Sequence, residues 1–163
     1  MDAGLLVARL VLGSLMAAHG AQKLFGWFGG YGVAGTGALF ETLGFRPGRF
    51  FATTAALAEV AGGVLMALGL LGPIGPALML SVMIVAAVGV HWKHGLFVTS
   101  NGIEVPLLYG AGAASLGLTG PGRFSLDAAL GLSSVWTPER ALIVLGIGII
   151  GGALNLVMRR IPA

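Results

Sequence analysis

The chain has 163 residues, of which 56% are hydrophobic and 9% are charged, and its mean hydropathy is +0.95. Soluble domains carry about 25% charged residues, so this composition excludes a water-soluble enzyme, a nucleic-acid-binding protein and a disordered chain, and the net charge of +3 is no nucleic-acid signal. With no cysteine in the sequence, thiol catalysis, Cys-ligated zinc and iron–sulfur clusters are excluded as well. We predict an all-α integral membrane protein that contacts the lipid bilayer.

Five apolar segments have the length of a bilayer crossing, roughly 20 residues. Residues 72–76 (Gly-Pro-Ile-Gly-Pro) predict a tight hairpin between the second and third segments. Asn101 followed by Glu104 resembles a capping box at the start of the fourth segment. Thr137 and Pro138 form a typical helix start for the fifth. The predicted spans are residues 4–22, 52–72, 74–92, 103–119 and 138–158.

Five crossings place residues 23–51, residues 93–102 and the C-terminus on one side of the membrane. That side carries six Lys and Arg residues and the other carries three, so the positive-inside rule predicts that it is cytoplasmic. We expect Arg9, on the opposite side, to snorkel outward. The six are Lys23, Arg46, Arg49, Lys93, Arg159 and Arg160, and the three are Arg9, Arg123 and Arg140.

Small residues recur four positions apart within the spans. This spacing lets helix backbones approach closely in lipid, which predicts a compact bundle. The alternative is compositional bias, because 29 glycines produce such pairs by chance. The pairs are Gly13/Ala17, Ala58/Gly62, Gly110/Ala114 and Gly148/Gly152.

Polar side chains converge on one membrane face once the spans are folded back and forth. His19, Gln22 and Lys23 share one face at the end of the first span. Glu59 lies about two turns inside the second span, roughly 10 Å deep. The other polar residues at this face are His91, Lys93, His94 and Glu104.

Glu59 is the strongest candidate for function, because an acid within a span costs several kcal/mol unless it is paired, neutralised or hydrated. Lys23, Lys93 and His94 are also explained as snorkelling or headgroup residues, and Glu104 as a helix cap. His19 and His91 are interpreted either as hydrogen-bonding bundle residues or as a bis-His haem site, although no further ligand signature supports haem. No metal site is predicted.

An aromatic, glycine-rich segment at 25–31 joins the first two spans, and apolar residues at helical spacing follow at 36–45. This pattern predicts an interfacial segment over the polar face, where it would cover a flat amphiphilic ligand. Trp27, Tyr31 and Trp92 are expected in the aromatic belt. A second short amphipathic stretch, residues 125–132, is expected at the opposite face.

Five motifs resemble those of the DoxX family. Residues 18–26 (AHGAQKLFG) are similar to its "HGxQKLFG" motif and residues 58–63 (AEVAGG) to "AExxGG". Residues 91–97 (HWKHGLF) are similar to "HWKxGFF", 104–107 (EVPL) to "EYPLL", and 119–127 (TGPGRFSLD) to "TGPGRYSLD".

The resemblance implies a small bacterial inner-membrane protein with a DoxX-like four-helix domain over residues 1–132. Residues 133–163 would form a C-terminal extension that carries the fifth span and departs from the usual family pattern. The family includes DoxD-like membrane subunits of thiosulfate:quinone oxidoreductases, and some members are linked to oxidative stress and sulfur metabolism. A quinone-linked redox role follows by analogy, because a fold alone does not fix a function.

Two main hypotheses follow for the polar face. In the first, it binds a quinone or a small oxidant, and the electrons come either from a protein partner or from a direct reaction between two substrates. In the second, the chain is a non-catalytic structural or assembly subunit, either in a membrane complex or in a homo-oligomer. A transporter is the least supported class, because no inverted repeat is visible. The first hypothesis assigns catalysis to Glu59, His19 and His91, and ligand contacts to Gln22, Lys23, Trp27, Trp92, Lys93 and Glu104.

Overall fold

The computed structural model describes residues 1–160, and these form an all-helical bundle without β-strands. The predicted all-α fold is therefore confirmed; residues 161–163 of the predicted C-terminal extension lie outside the described residues. The helices are α1 (Asp2–Phe25), α2 (Gly32–Thr42), α3 (Gly48–Leu68), α4 (Ile74–Ala86, continued to His94 by a π-helical and a 3₁₀ turn), α5 (Glu104–Thr119), α6 (Leu126–Ala129) and α7 (Pro138–Val157).

Four helices in the described residues are long and apolar enough to cross a membrane, namely α1, α3, α4 and α7. The chain is thus a multi-pass membrane protein. The segment predicted at 103–119 forms α5, which has 16 residues and a length of about 24 Å, somewhat less than the hydrocarbon thickness of about 30 Å.

Contacts at its two ends show that α5 runs between the same ends of the bundle as the long helices. His91 at the end of α4 contacts the carbonyl of Asn101, which precedes α5 (2.7 Å). Arg9 in α1 donates to the carbonyl of Phe124, which follows α5 (2.5 Å). The N–H of Arg160 donates to the carbonyl of Gly44 (2.8 Å), so α7 ends beside the α2–α3 loop, as five crossings require.

The two ends of the bundle are named here by their connections. The loop end holds residues 26–47, residues 95–103 and Arg160. The hairpin end holds Met1, the α3–α4 turn and α6. Which end faces the cytoplasm stays a prediction from the charge distribution.

Glycines set the closest helix crossings. A Cβ added to Gly63 of α3 would lie 2.5 Å from the Gly13 carbonyl and from the Ala17 nitrogen of α1, and a Cβ on Gly152 of α7 would lie 2.8 Å from the Ser81 carbonyl of α4. The packing predicted for Gly13/Ala17 and Gly148/Gly152 is therefore present. A Cβ added to Gly110 would make only ordinary van der Waals contacts, the nearest with Met83 at 3.8 Å, so Gly110 does not mark a close helix crossing. Methionines fill the core between these helices (Met16, Met66, Met79 and Met83).

Gly63→Ala is expected to destabilise the fold by about 1–3 kcal/mol, because the added methyl group must push α1 and α3 apart. Gly146→Ala in α7 is the matched control, since its new methyl group meets nothing within 4 Å and alanine favours the helix by about 1 kcal/mol. Thermal unfolding in detergent measures both variants. Equal melting temperatures for the two would contradict the close crossing.

The prediction that Arg9 snorkels outward is wrong, because its side chain points into the bundle. Its side chain is 2% exposed, and its guanidinium donates to the carbonyls of Ala67 (3.2 Å) and Phe124. Ala67 lies in the last turn of α3, where helix carbonyls lack intrahelical partners and carry partial negative charge. These carbonyls stabilise the buried cation.

Two predicted helix starts have different outcomes. Thr137 caps α7 by accepting a hydrogen bond from the Arg140 N–H (3.4 Å), with Pro138 at the first position, as predicted. The capping box at Asn101 is wrong. Asn101 has a left-handed backbone (φ 63°) that ends a 3₁₀ turn, and Glu104 instead accepts from the N–H of Val98 (2.7 Å).

Candidate functional site

An ion pair joins the end of α1 to the middle of α3. The Lys23 ammonium lies 2.7 and 2.6 Å from the two carboxylate oxygens of Glu59. The Glu59 side chain is 2% exposed and that of Lys23 is 26% exposed. Gly20, one turn before Lys23, lets α1 approach α3 closely enough for the ion pair to form. A Cβ on Gly20 would lie 2.7 Å from the Ala56 carbonyl of α3. Lys23 is therefore the polar partner that the buried acid requires.

A cavity of about 370 Å³ opens beside this ion pair. It lies between α3 and α4 toward the loop end, under α2, and α7 contributes one residue to its wall. Most of its lining is apolar, and Lys23 and Glu59 supply its formal charges. The polar residues that line it are Gln22, Lys23, Tyr31, Thr36, Thr54, Glu59, Ser81, His91 and Asn155.

The roof of the cavity is the predicted interfacial segment. It forms a 3₁₀ turn at Trp27–Gly29 followed by α2, and Thr36 and Phe40 of α2 line the cavity. The Phe45 ring packs 5.7 Å from that of Phe40 and 5.5 Å from that of Phe51. These three rings give the cavity one aromatic wall near the loop end.

The end of α4 departs from α-helical geometry where it meets the cavity. Residues Ala87–His91 form a π-helical turn, and both Val90 and His91 line the cavity. π-turns occur frequently at functional sites, because the extra residue re-aims the side chains that follow. His91 Nδ1 contacts the Asn101 carbonyl, which holds the ring at the cavity rim.

His19 and Gln22 form a second small network. His19 Nδ1 lies 3.2 Å from the side-chain oxygen of Gln22, whose amide nitrogen donates to the Phe28 carbonyl (3.2 Å). Gln22 lines the cavity, whereas His19 does not; its ring packs edge-on against Tyr109, with centroids 5.9 Å apart. The cavity therefore presents one of the two histidines considered for haem. Among the described residues, no cluster of His, Asp and Glu side chains has the geometry to hold a metal ion.

The other predicted ligand contacts lie outside the cavity. Trp27 and Trp92 are 58% and 67% exposed, and Lys93 is exposed as well. Glu104 binds the neighbouring loop at Val98. None of these four residues lines the cavity. Of the six predicted ligand contacts, Gln22 and Lys23 are the two that line it.

Four polar residues in the wall were not singled out from the sequence, and one of them, Thr54 of α3, is exposed. Thr36 is buried in α2, Ser81 is half-buried in α4, and Asn155 is half-buried in α7. Asn155 did carry a usable signal, since an amide side chain inside an apolar span is rare and faces protein or a cavity. Thr36 and Ser81 carried none, because hydroxyl groups are common in the helices of membrane proteins.

Together these features define a multi-pass helical membrane protein with a cavity between its helices and a buried ion pair in the cavity wall. The sequence model of the DoxX family matches residues 4–92, which is more than half of the chain and includes both Lys23 and Glu59. The chain belongs to the DoxX family. No match is found among curated proteins or solved structures.

Proposed function

We propose that this chain is the quinone-binding component of a redox system in a bacterial inner membrane. The main support for this proposal is the Lys23–Glu59 ion pair in the wall of a largely apolar cavity. Sites for small ligands are typically 300–1,000 Å³, mostly apolar, with a few polar groups that fix orientation. A volume of about 370 Å³ suits the ring of a quinone beside the aromatic wall.

The ion pair supplies the groups that quinone chemistry needs. Reduction of a quinone to a quinol takes two electrons, which a partner redox protein supplies, and two protons. The Lys23 ammonium donates a hydrogen bond to one carbonyl oxygen and stabilises the negative charge that develops there. Glu59 exchanges protons with Lys23 at 2.6 Å, and Lys23, which is 26% exposed, takes up both protons from water for transfer to the reduced ring. His91 at the rim would bind the second oxygen, and His19 positions Gln22.

The same ion pair also favours a second candidate, the structural or assembly subunit. Each Glu59 oxygen already accepts from Lys23, so the pair neutralises itself and ties α1 to α3 without any ligand. Under this hypothesis the cavity stays without a specific ligand, and the exposed apolar faces pack against other subunits.

Lys23→Met is expected to weaken quinone binding at least about tenfold, since a hydrogen bond to a charged group contributes about 1.5–3 kcal/mol. The measurement is a quinone titration of the purified protein in lipid nanodiscs. Lys93→Met is the matched control, because it removes an exposed lysine at the same end of the bundle, outside the cavity. Absence of saturable binding to the wild-type chain, or equal loss in both variants, would contradict the quinone site.

A further inference from the structure

The cavity is bordered by α3 on one side and by α7 on another. These two helices each pack against α4 and have little direct contact with one another. Thr54 of α3 lines the cavity and is exposed, and Asn155 of α7 lines it from the other helix. Leu154, next to Asn155, is 58% exposed. The side of the cavity that lies between Thr54 and Asn155 is called here the lateral window.

The lining of α3 leads from this window to the ion pair. At 100° per residue, Ala58 lies about 40° and Glu59 about 140° around the helix from Thr54. All three residues line the cavity. The cavity therefore follows the surface of α3 from the lateral window to the bundle interior, and its charged groups lie at the inner end.

The loop end of the window is closed. Phe45 is 2% exposed, and a Cβ on Gly89 of α4 would lie 3.5 Å from its ring and 3.6 Å from Leu156 of α7. Arg159 lies 5.8 Å from the Phe45 ring centroid and donates to the Leu43 carbonyl. The α2–α3 loop is thus fastened to the end of α7, and the lateral window below it lies at the level of the apolar spans.

We infer that the ligand enters sideways from the bilayer through the lateral window and keeps an apolar tail there when bound. Its polar head reaches Lys23 and Glu59, and its tail passes Thr54 into the lipid. The substrate class is therefore a tailed, bilayer-borne amphiphile. The quinone nature of the head group rests on the proposed function; the route and the tail rest on the window.

Spin labels test the window without any ligand. Because the chain has no cysteine, Ala58→Cys carries a single nitroxide inside the cavity. Leu57→Cys, the adjacent residue on the outer face, is 53% exposed and serves as the lipid reference at the same depth. Arg123→Cys at an 82% exposed position serves as the water reference. In phosphatidylcholine vesicles, collisions with oxygen report hydrocarbon, and collisions with a water-soluble nickel chelate report water.

The Ala58 label is expected to show the oxygen-to-nickel collision ratio of the Leu57 label. A ratio like that of Arg123 would show that the cavity opens to water and would overturn the lateral route. A label shielded from both agents would show that α3 and α7 close the lateral window, which equally overturns it.

Tail length tests the bound state. Thr54→Trp narrows the window, so a quinone with a long isoprenoid tail should bind about tenfold more weakly, whereas the same ring with a short chain should not. Leu57→Trp is the control on the outer face. Equal weakening of both quinones by Thr54→Trp would overturn the proposal. If the wild-type chain bound neither quinone, the proposed function would fail, and the spin labels would still decide the window.

Discussion

Glu59→Leu is expected to destabilise the protein by about 3 kcal/mol, and adding Lys23→Met to it should restore most of that loss. The single change leaves the Lys23 ammonium without its carboxylate in a site that is only 26% exposed, and breaking a buried pair costs about 3–5 kcal/mol. The double change removes both charges, and apolar replacement of a buried pair is often neutral or stabilising. Thermal unfolding in detergent measures both variants.

The double variant separates the two candidate functions. If the ion pair only ties α1 to α3, a stable Lys23→Met/Glu59→Leu protein should keep every ligand that the wild-type chain binds. If the pair forms a quinone site, the double variant should melt like the wild type and bind no quinone. A double variant as unstable as Glu59→Leu alone would show that the loss arises from packing and not from an unpaired charge.

An exposed ion pair provides the reference for this experiment. Arg123 and Asp2 are 4.0 Å apart, with side chains 82% and 35% exposed, and exposed pairs contribute little to stability. Arg123→Met should therefore leave the melting temperature nearly unchanged. A large shift would mean that loss of any cation destabilises this protein. The Lys23–Glu59 result could then not be attributed to the buried ion pair.

The central ion pair could be predicted from the sequence because only simple periodicities were needed. Helical spacing places Lys23 at the end of the first span, and chain reversal brings Glu59 back to the same membrane face. The energetic cost of an acid in lipid then requires a partner nearby. The roof could be anticipated in the same way, since its aromatic and apolar residues had to lie at an interface.

The rest of the wall depends on details that leave no pattern in the sequence. Asn155 reaches the cavity because Gly152 fixes how α7 packs on Ser81 of α4, and the choice of packing partner is a tertiary property. The π-helical turn at Ala87–His91 shifts the helical phase of Trp92 and Lys93, and both side chains are exposed outside the cavity.

The hairpin end shows the same limit for charged residues. The acceptors for Arg9 are backbone carbonyls of Ala67 and Phe124, and every residue has a carbonyl. The amphipathic pattern at 125–132 predicted a segment at this end, and α6 does form there. It did not reveal that Asp127 turns inward and becomes fully buried.

Asp127→Asn is expected to destabilise the fold by about 3 kcal/mol. Asp127 is 0% exposed, and its two carboxylate oxygens accept from the N–H groups of Leu71 (2.9 Å) and Gly72 (2.7 Å) in the α3–α4 turn. An asparagine keeps one acceptor and turns an NH₂ group toward the other N–H, which leaves two buried donors facing each other, and hydrogen bonds to a charged group contribute about 1.5–3 kcal/mol.

Asp2→Asn is the matched control for this change, since it is the same substitution at the same end of the bundle. Asp2 accepts from the N–H of Arg123 (2.9 Å), but its side chain is 35% exposed, so water replaces whatever the amide cannot accept. Its melting temperature should stay near that of the wild type, while Asp127→Asn unfolds well below both. Equal melting of the two variants would mean that the α3–α4 turn holds its shape without Asp127. The tight glycine–proline sequence at 72–76 would then account for the hairpin by itself.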